Sequence, residues 1–262
     1  MPAEPLIQDI LIYLAFAGHC AAFLLALARC PRAAQRTYAG AFGLVLIAFI
    51  FRWLTTRHVP LQNLYEIFIV LAMVYPLSRF CRKYLQTGLE TFDMALAAII
   101  LVPVAFHFFD PQPQHLPPAL QSWIFIPHVA AYMAAYILLA KAAAHAAARL
   151  FSPAPKNLQL ATYEEASYRL VLFAFPLLTL GLLLGAYWGK LAWGDYWNWD
   201  PKELWSFASW LIFLAYLHFR WLFGHRKPIL NSLLILSGFA AVILTLLWVN
   251  LAPLFAGLHS YA

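Results

Sequence analysis

The chain has 262 residues, of which 64% are hydrophobic and only 11% are charged, and its mean hydropathy is +0.72. A water-soluble domain carries roughly a quarter charged residues, so this composition excludes a soluble globular protein. The apolar residues fall into runs of about 18 to 25, without the polar–apolar alternation of outer-membrane barrels. The sequence therefore predicts an all-α integral membrane protein.

Eight transmembrane helices are predicted, with both chain ends on one side. In chain order they cover residues 7–28, 38–56, 64–81, 92–109, 124–148, 168–188, 204–222 and 229–249. The gaps between them are short, so we expect a single polytopic membrane domain over residues 1–262. The first run is interpreted as an uncleaved helix, because no basic segment precedes it and no small-residue cleavage site is evident.

Basic residues fall unevenly on the two sides of this arrangement. With the N-terminus outside, thirteen Lys and Arg residues lie on the inner side and four on the outer side. This is the bias of the positive-inside rule, so both termini are expected outside. The net charge of +6 is then a topology signal and not a nucleic-acid-binding surface. The chain has no CxxC motif, which excludes a thiol oxidoreductase or a zinc ribbon.

The most unusual segment is a predicted outer loop at about 189–203. It contains Trp193-Gly194-Asp195-Tyr196-Trp197-Asn198-Trp199-Asp200. Aromatic residues commonly anchor helix ends at the membrane interface, and Asp200 with Pro201 and Glu203 fits a capping box that opens the seventh span. Anchoring does not require four large rings in eight residues. Gly194 permits a tight turn there, and we predict a flat apolar platform for a large planar ligand.

Two histidines are predicted on the same face as this loop. His128 opens the fifth span and His259 follows the eighth. A single interfacial histidine is more often an ordinary hydrogen-bonded residue, but a pair beside an aromatic cluster fits axial ligation of a porphyrin iron. His218, within the seventh span, is either a functional intramembrane residue or a side chain that extends toward the interface beside Arg220. No role is assigned to the remaining histidines: His19, His58, His107, His115, His145 and His225.

At these residues the chain closely resembles the CcsA/ResC family of system II cytochrome c biogenesis, within the haem-handling WWD superfamily. The resemblance rests on the tryptophan-rich loop, the His128 helix start, the turn Pro60-Leu61-Gln62-Asn63-Leu64-Tyr65-Glu66 and the terminal Gly257-Leu258-His259-Ser260-Tyr261. In the turn, Asn63 and Glu66 are also interpreted as helix-capping residues. The related CcmC proteins have fewer spans and the CcmF proteins are much longer, so both fit less well.

The resemblance implies that His128 and His259 are the outer axial ligands of haem b, and that His218 helps to receive haem from the inner side. It implies that the macrocycle is held by the loop residues Trp193, Gly194, Tyr196, Trp197, Trp199 and Asp200. It also implies a separate CcsB/ResB-like membrane partner that supplies a second transmembrane histidine, an apocytochrome c and a thioredoxin-like thiol reductant. The expected location is the bacterial cytoplasmic membrane, with the functional loops facing the periplasm and the spans in contact with lipid.

The leading hypothesis is a haem relay and presentation subunit of a membrane cytochrome c synthase. Haem would be held on the outer face for thioether attachment to the CxxCH motif of apocytochrome c, with positioning residues and no catalytic nucleophile from this chain. Two alternatives stay open: a haem exporter without ligation activity, and a non-enzymatic membrane scaffold. The outer cations are candidates to pair with haem propionates: Arg52, Arg57, Lys190 and Lys202.

Overall fold

The protein is all-helical over the residues that the computed structural model describes, 3–151 and 162–251. In chain order the α-helices are α1 (Ala3–Leu27), α2 (Pro31–Thr56), α3 (Leu64–Leu71), α4 (Val74–Phe80), α5 (Glu90–Ala105), α6 (Phe125–Phe151), α7 (Tyr163–Trp193), α8 (Pro201–Phe223), α9 (Pro228–Ile243) and α10 (Val249–Leu251). One π-helical turn, Cys81–Leu85, follows α4, and another, Leu244–Trp248, joins α9 to α10.

Seven helical stretches of the described residues are long and apolar enough to cross a membrane. They match the predicted spans except the fourth, at 92–109. There the structure has α5, which is 16 residues long and contains Pro103 near its end. A span needs roughly 20 residues, and proline removes a backbone donor from the helix, so α5 falls short. The all-α membrane fold is thus confirmed, with seven candidate spans in place of eight.

The chain divides into two compact units. Unit 1 comprises the residues up to Phe80 with Leu89–Pro117, and unit 2 comprises Cys81–Gly88 with the residues from Pro118 onward. Within unit 1, α1 packs along α2 and α5, and α3 and α4 also contact α5. Within unit 2, α6 packs along α7 and α9, and α8 contacts α7 and α9. The single membrane domain over residues 1–262 stays a prediction.

A buried ion pair joins two helices of unit 1. Asn63 caps α3 as predicted, because its side chain accepts a hydrogen bond from the backbone N of Glu66 at 3.0 Å. The Glu66 carboxylate accepts from the backbone N of Gln62 at 2.9 Å and from Nε of Arg52 at 3.0 Å. The Arg52 and Glu66 side chains are only 4% and 1% exposed. Neither charge is solvated, so each depends on the other for compensation.

The same guanidinium also holds the loop that follows α5. Nη1 of Arg52 donates to the carbonyl of Pro111 at 2.6 Å, and Nη2 donates to that of Gln112 at 3.4 Å. Nearby, Nε2 of Gln62 donates to the carbonyl of His115 at 3.2 Å. The ion pair therefore fixes the backbone of this loop as well as the junction of α2 with α3.

Glycines allow close helix contacts in unit 2. A Cβ added at Gly181 of α7 would lie 3.0 Å from ring atoms of Tyr132 on α6. A Cβ at Gly238 of α9 would lie 2.8 Å from the ring of Phe213 on α8. Small residues at membrane helix interfaces let neighbouring backbones approach, so van der Waals packing replaces the hydrophobic drive that lipid does not supply.

A second charged network ties the start of α7 to the end of α8 and the start of α9. Nε of Arg220 lies 3.6 Å from a Glu164 carboxylate oxygen, and its Nη2 lies 3.0 Å from Nδ1 of His225. Asn231 donates to the same carboxylate at 2.8 Å. His225, to which the sequence assigned no role, is thus part of the network that closes this end of unit 2.

We predict that Arg52→Met lowers the free energy of unfolding by about 3–5 kcal/mol, because it leaves the Glu66 carboxylate buried without its cation. Adding Glu66→Met should recover part of that loss, since the uncompensated charge is then removed. Chemical denaturation in mixed micelles measures both changes.

The matched control for this prediction is Arg169→Met. Arg169 pairs with Glu165 one helical turn away, and its side chain is 36% exposed, so its loss should cost less than about 1 kcal/mol. Equal destabilisation by Arg52→Met and Arg169→Met would contradict the assignment of the Arg52–Glu66 pair as a buried structural contact.

Candidate functional site

The tryptophan loop begins where α7 ends. Gly194 has a φ of +92°, in the left-handed region that favours glycine, and its backbone N–H donates to the carbonyl of Lys190 at 3.1 Å. The Lys190 ammonium donates in return to the Gly194 carbonyl and lies 5.6 Å from the ring centroid of Tyr196. Lys190 therefore helps to terminate the helix. The tight turn that the sequence predicts at Gly194 is confirmed.

The far end of the loop is a helix cap. Asp200 accepts from the backbone N of Lys202 at 2.9 Å, and the Glu203 carboxylate accepts from the backbone N of Asp200 at 3.2 Å. Glu203 also accepts from the backbone N of Asn198 at 2.8 Å. The predicted capping box is thus confirmed. A direct contact between Asp200 and a ligand stays a prediction.

The rings of the loop do not form one plane. Trp193 meets Trp188 edge to face, with centroids 4.7 Å apart and planes at 66°. Trp197 meets Trp199 at 6.0 Å and 86°. The prediction of a flat platform was wrong, because a short loop that reverses the chain directs neighbouring side chains to different sides. Tyr196 and Trp199 are 57% and 67% exposed, so their rings can be reached from outside.

His128 is held against α7 by one hydrogen bond and two rings. Its Nδ1 donates to the carbonyl of Gly181 at 2.8 Å. The imidazole stacks on Trp188, with centroids 5.8 Å apart and planes at 22°, and meets Tyr132 edge to face at 5.2 Å. His128 as a whole is half-buried.

Trp188 connects this histidine to the loop, a role that the sequence analysis missed. It is 1% exposed, and its Nε1 donates to the carbonyl of Ala119 at 2.8 Å. The indole contacts both His128 and Trp193. Residues 181, 185 and 188 follow the spacing of one helix face, and that spacing was the available signal. Assigning this role to Trp188 from the spacing alone required knowing that α6 packs on this face of α7.

His218 lies on an exposed stripe of α8. Its Nδ1 donates to the carbonyl of Leu214 on the same helix at 2.9 Å. Exposed residues at helical spacing surround it: Leu204, Leu211, Ala215 and Leu222. Arg220 is engaged with Glu164 and His225, and both interpretations of His218 stay predictions.

The tryptophan loop precedes the first residue of α8, whereas His218 lies far along this helix. The helix begins at Pro201, and seventeen residues at 1.5 Å each separate that position from His218, or about 25 Å along the axis. His128, Trp188 and Trp193 are in contact and form one candidate site, and His218 is a separate candidate position on the same unit.

The outcome for the other candidate residues and histidines differs from one to the next. His259 lies outside the described residues, so its ligand role stays a prediction. Arg52 is excluded as a propionate partner by its buried pair with Glu66, and Arg57 is exposed. His107 pairs with Asp9 at 3.0 Å. Among residues 3–151 and 162–251, no three His, Cys, Asp or Glu side chains are grouped to hold a metal ion.

The chain was compared with known proteins. A family model described as cytochrome C assembly protein matches residues 40–256. Cytochrome c biogenesis protein CcsA of Prochlorococcus marinus (strain MIT 9312) is 33% identical, with 83% of this chain and 81% of that protein covered. The corresponding values are 32%, 83% and 82% for CcsA of Mesostigma viride, and 35%, 80% and 79% for CcsA of Guillardia theta.

A solved structure shares the fold. Cytochrome c Heme Lyase CcmF matches 93% of this chain with a TM-score of 0.69, at 21% identity, and the match covers 46% of the CcmF chain. The CcmF likeness concerns the fold alone. The family model and the CcsA relatives confirm the resemblance inferred from the motifs: the chain belongs to the cytochrome c assembly protein family, as a multi-pass membrane protein similar to CcsA.

Proposed function

We propose that this chain binds haem b beside the tryptophan loop and presents it for thioether attachment to the CxxCH motif of an apocytochrome c. The observation that carries the proposal is the placement of His128, a half-buried residue whose imidazole stacks on Trp188 and is joined through it to Trp193. In the proposed orientation both termini and this loop face the outer side of a bacterial cytoplasmic membrane.

The side chains at the loop fit a haem group. An imidazole is a common axial ligand of haem iron, and exposed aromatic rings offer apolar contact to a macrocycle. Tyr196 and Trp199 provide such rings, and Trp197 has a buried Nε1 without a hydrogen-bond partner among the described residues. Because the rings are edge to face, we propose that they contact the edges of the macrocycle in place of a single stacking surface. His259 is the proposed second axial ligand.

The chain would act by positioning. In the proposed reaction, the S–H bond of a cysteine adds across a vinyl group of haem, so no leaving group forms and no nucleophile from this chain is required. The contribution of His128 and the loop is to hold the vinyl groups toward the two thiols and to exclude water from the site. A thioredoxin-like reductant would keep those thiols reduced.

A membrane partner is proposed to cover His218. An imidazole on a lipid-facing stripe is costly unless another polar group contacts it. The partner would be CcsB/ResB-like, and a transmembrane histidine of that chain would face His218. Haem would be received at this second site before it reaches the loop.

A haem exporter without ligation is the second candidate function. The separation of about 25 Å between His218 and the start of α8 favours it, because that distance corresponds to most of a hydrocarbon core of about 30 Å. In an exporter the His218 site is essential and the His128 site is dispensable, so variants at the two sites separate the two functions.

We predict that His128→Ala lowers c-type cytochrome formation by about 10–100-fold, because the iron loses a protein ligand. Imidazole added to the growth medium should restore part of the yield by occupying the vacated space. Haem-stained gels of membrane fractions measure the yield.

His115→Ala is the control, since His115 is an exposed histidine whose backbone carbonyl accepts a hydrogen bond from Gln62, a contact that the substitution leaves in place. Unchanged cytochrome formation in His128→Ala would exclude presentation at this site and favour the exporter.

We also predict that His218→Ala reduces the haem content of the complex purified with its partner, because haem would not be received at the second site. Leu222→Ala removes an exposed side chain from the same stripe without removing a ligand, and it should retain haem. The Soret absorbance per protein measures the content. If the purified complex contains no haem in either variant or in the unaltered protein, the scaffold alternative is favoured.

A further inference from the structure

We infer that α7 selects the tautomer and the direction of the His128 imidazole, with the Gly181 carbonyl as hydrogen-bond acceptor and Gly185 as the space that the ring requires. Gly181 and Gly185 are then positioning residues for His128. The use of this device in haem binding rests on the proposed function, but the device itself is a property of the haem-free protein.

The hydrogen bond determines which ring nitrogen carries the proton. A carbonyl oxygen only accepts, so the contact of 2.8 Å from Nδ1 to the Gly181 carbonyl requires a proton on Nδ1. In a neutral imidazole the lone pair is then on Nε2, the nitrogen that can bind a metal. Metal-binding histidines are commonly oriented by such a bond from the other ring nitrogen.

The position of the ring requires glycine at residue 185. A Cβ there would lie 2.6 Å from Cε1 of His128 and 2.9 Å from Nδ1. Both distances are shorter than real Cβ contacts, so an alanine would push the ring away from α7. Residue 185 follows Gly181 by one helical turn, and a side chain there would stand between the imidazole and the Gly181 carbonyl. The missing Cβ thus makes the hydrogen bond possible.

Neighbouring rings hold the imidazole from other sides. Trp188 stacks on it at 22°, and Tyr132 meets it edge to face at 86°. Tyr132 itself rests on Gly181, where an added Cβ would lie 3.0 Å from its ring. Nε2 would be 3.5 Å from a Cβ at Gly185, farther than Nδ1. The ring therefore turns Nδ1 toward α7 and the metal-binding nitrogen farther from it.

The test uses the full-length protein in lipid nanodiscs, free of haem and labelled with ¹⁵N-histidine. His128→Gln identifies the His128 signals by difference. The ¹⁵N shifts should indicate a proton on Nδ1 in the unaltered protein and a loss of this single tautomer in Gly185→Ala. Gly43→Ala is the matched control, because a Cβ at Gly43 of α2 has no atom within 4 Å, and it should change nothing.

A second measurement follows haem in the same variants. We expect Gly185→Ala to weaken haem binding by about 10–100-fold, as loss of an orienting contact commonly does, and added imidazole to restore the low-spin spectrum. A proton on Nε2 of His128 in the unaltered protein would overturn the inference. So would Gly185→Ala with an unchanged tautomer and unchanged spectrum.

The two proposals fail separately. If His128 has the expected tautomer, Gly185→Ala disturbs it and the unaltered complex binds no haem, the positioning by α7 stands and the proposed haem presentation fails. If haem binds but its spectrum is insensitive to both His128→Gln and Gly185→Ala, the haem site lies elsewhere and the proposed presentation at His128 fails, while the tautomer measured in the haem-free protein still decides the positioning by α7.

Discussion

In a hydrocarbon environment, each polar group must find its partner within the protein or in another chain, because water is not available to replace one. This constraint explains where the charges of unit 1 and unit 2 lie. Arg52 is buried but paired with Glu66, and it donates its remaining hydrogens to loop carbonyls. Arg220 is paired with Glu164 and His225 where three helices of unit 2 meet. Both networks join helix ends, so satisfying the charge also fixes a connection.

Polar groups that do not follow this pattern carry the functional argument. His218 is exposed on an apolar stripe, and only its Nδ1 is satisfied by its own helix. The Nε1 of Trp197 is buried and has no acceptor among the residues that the structure describes. Structural needs account for Asp200, which begins α8, and for Lys190, which helps to terminate α7. They do not account for His218 or Trp197, and a partner chain and a ligand are the groups that would complete them.

What was predictable from the sequence was local. Caps at Asn63 and Asp200 depend on residues three positions apart, so the motif contains the whole interaction. Most membrane spans follow from hydropathy for the same reason. The edge-to-face rings of the loop and the burial of Arg52 depend on which segments meet in space. The count of charges assigned Arg52 to a membrane face, but it could not reveal Glu66 as its partner. Trp188 was overlooked because its importance comes from packing between α6 and α7.

The two candidate histidines, His128 and His218, each form the same kind of hydrogen bond, but with different helices. Each donates from Nδ1 to a helix carbonyl, His218 to Leu214 on its own helix and His128 to Gly181 on a neighbouring helix. The hydrogen bond of His218 lies within α8 and is intact wherever this helix forms. The direction in which it turns Nε2 would matter only when a partner chain faces α8. The His128 bond exists only while α6 packs on the glycine face of α7. The geometry of His128 is therefore set by the fold of unit 2, whereas the geometry at His218 would, in the proposed function, be completed by a partner chain.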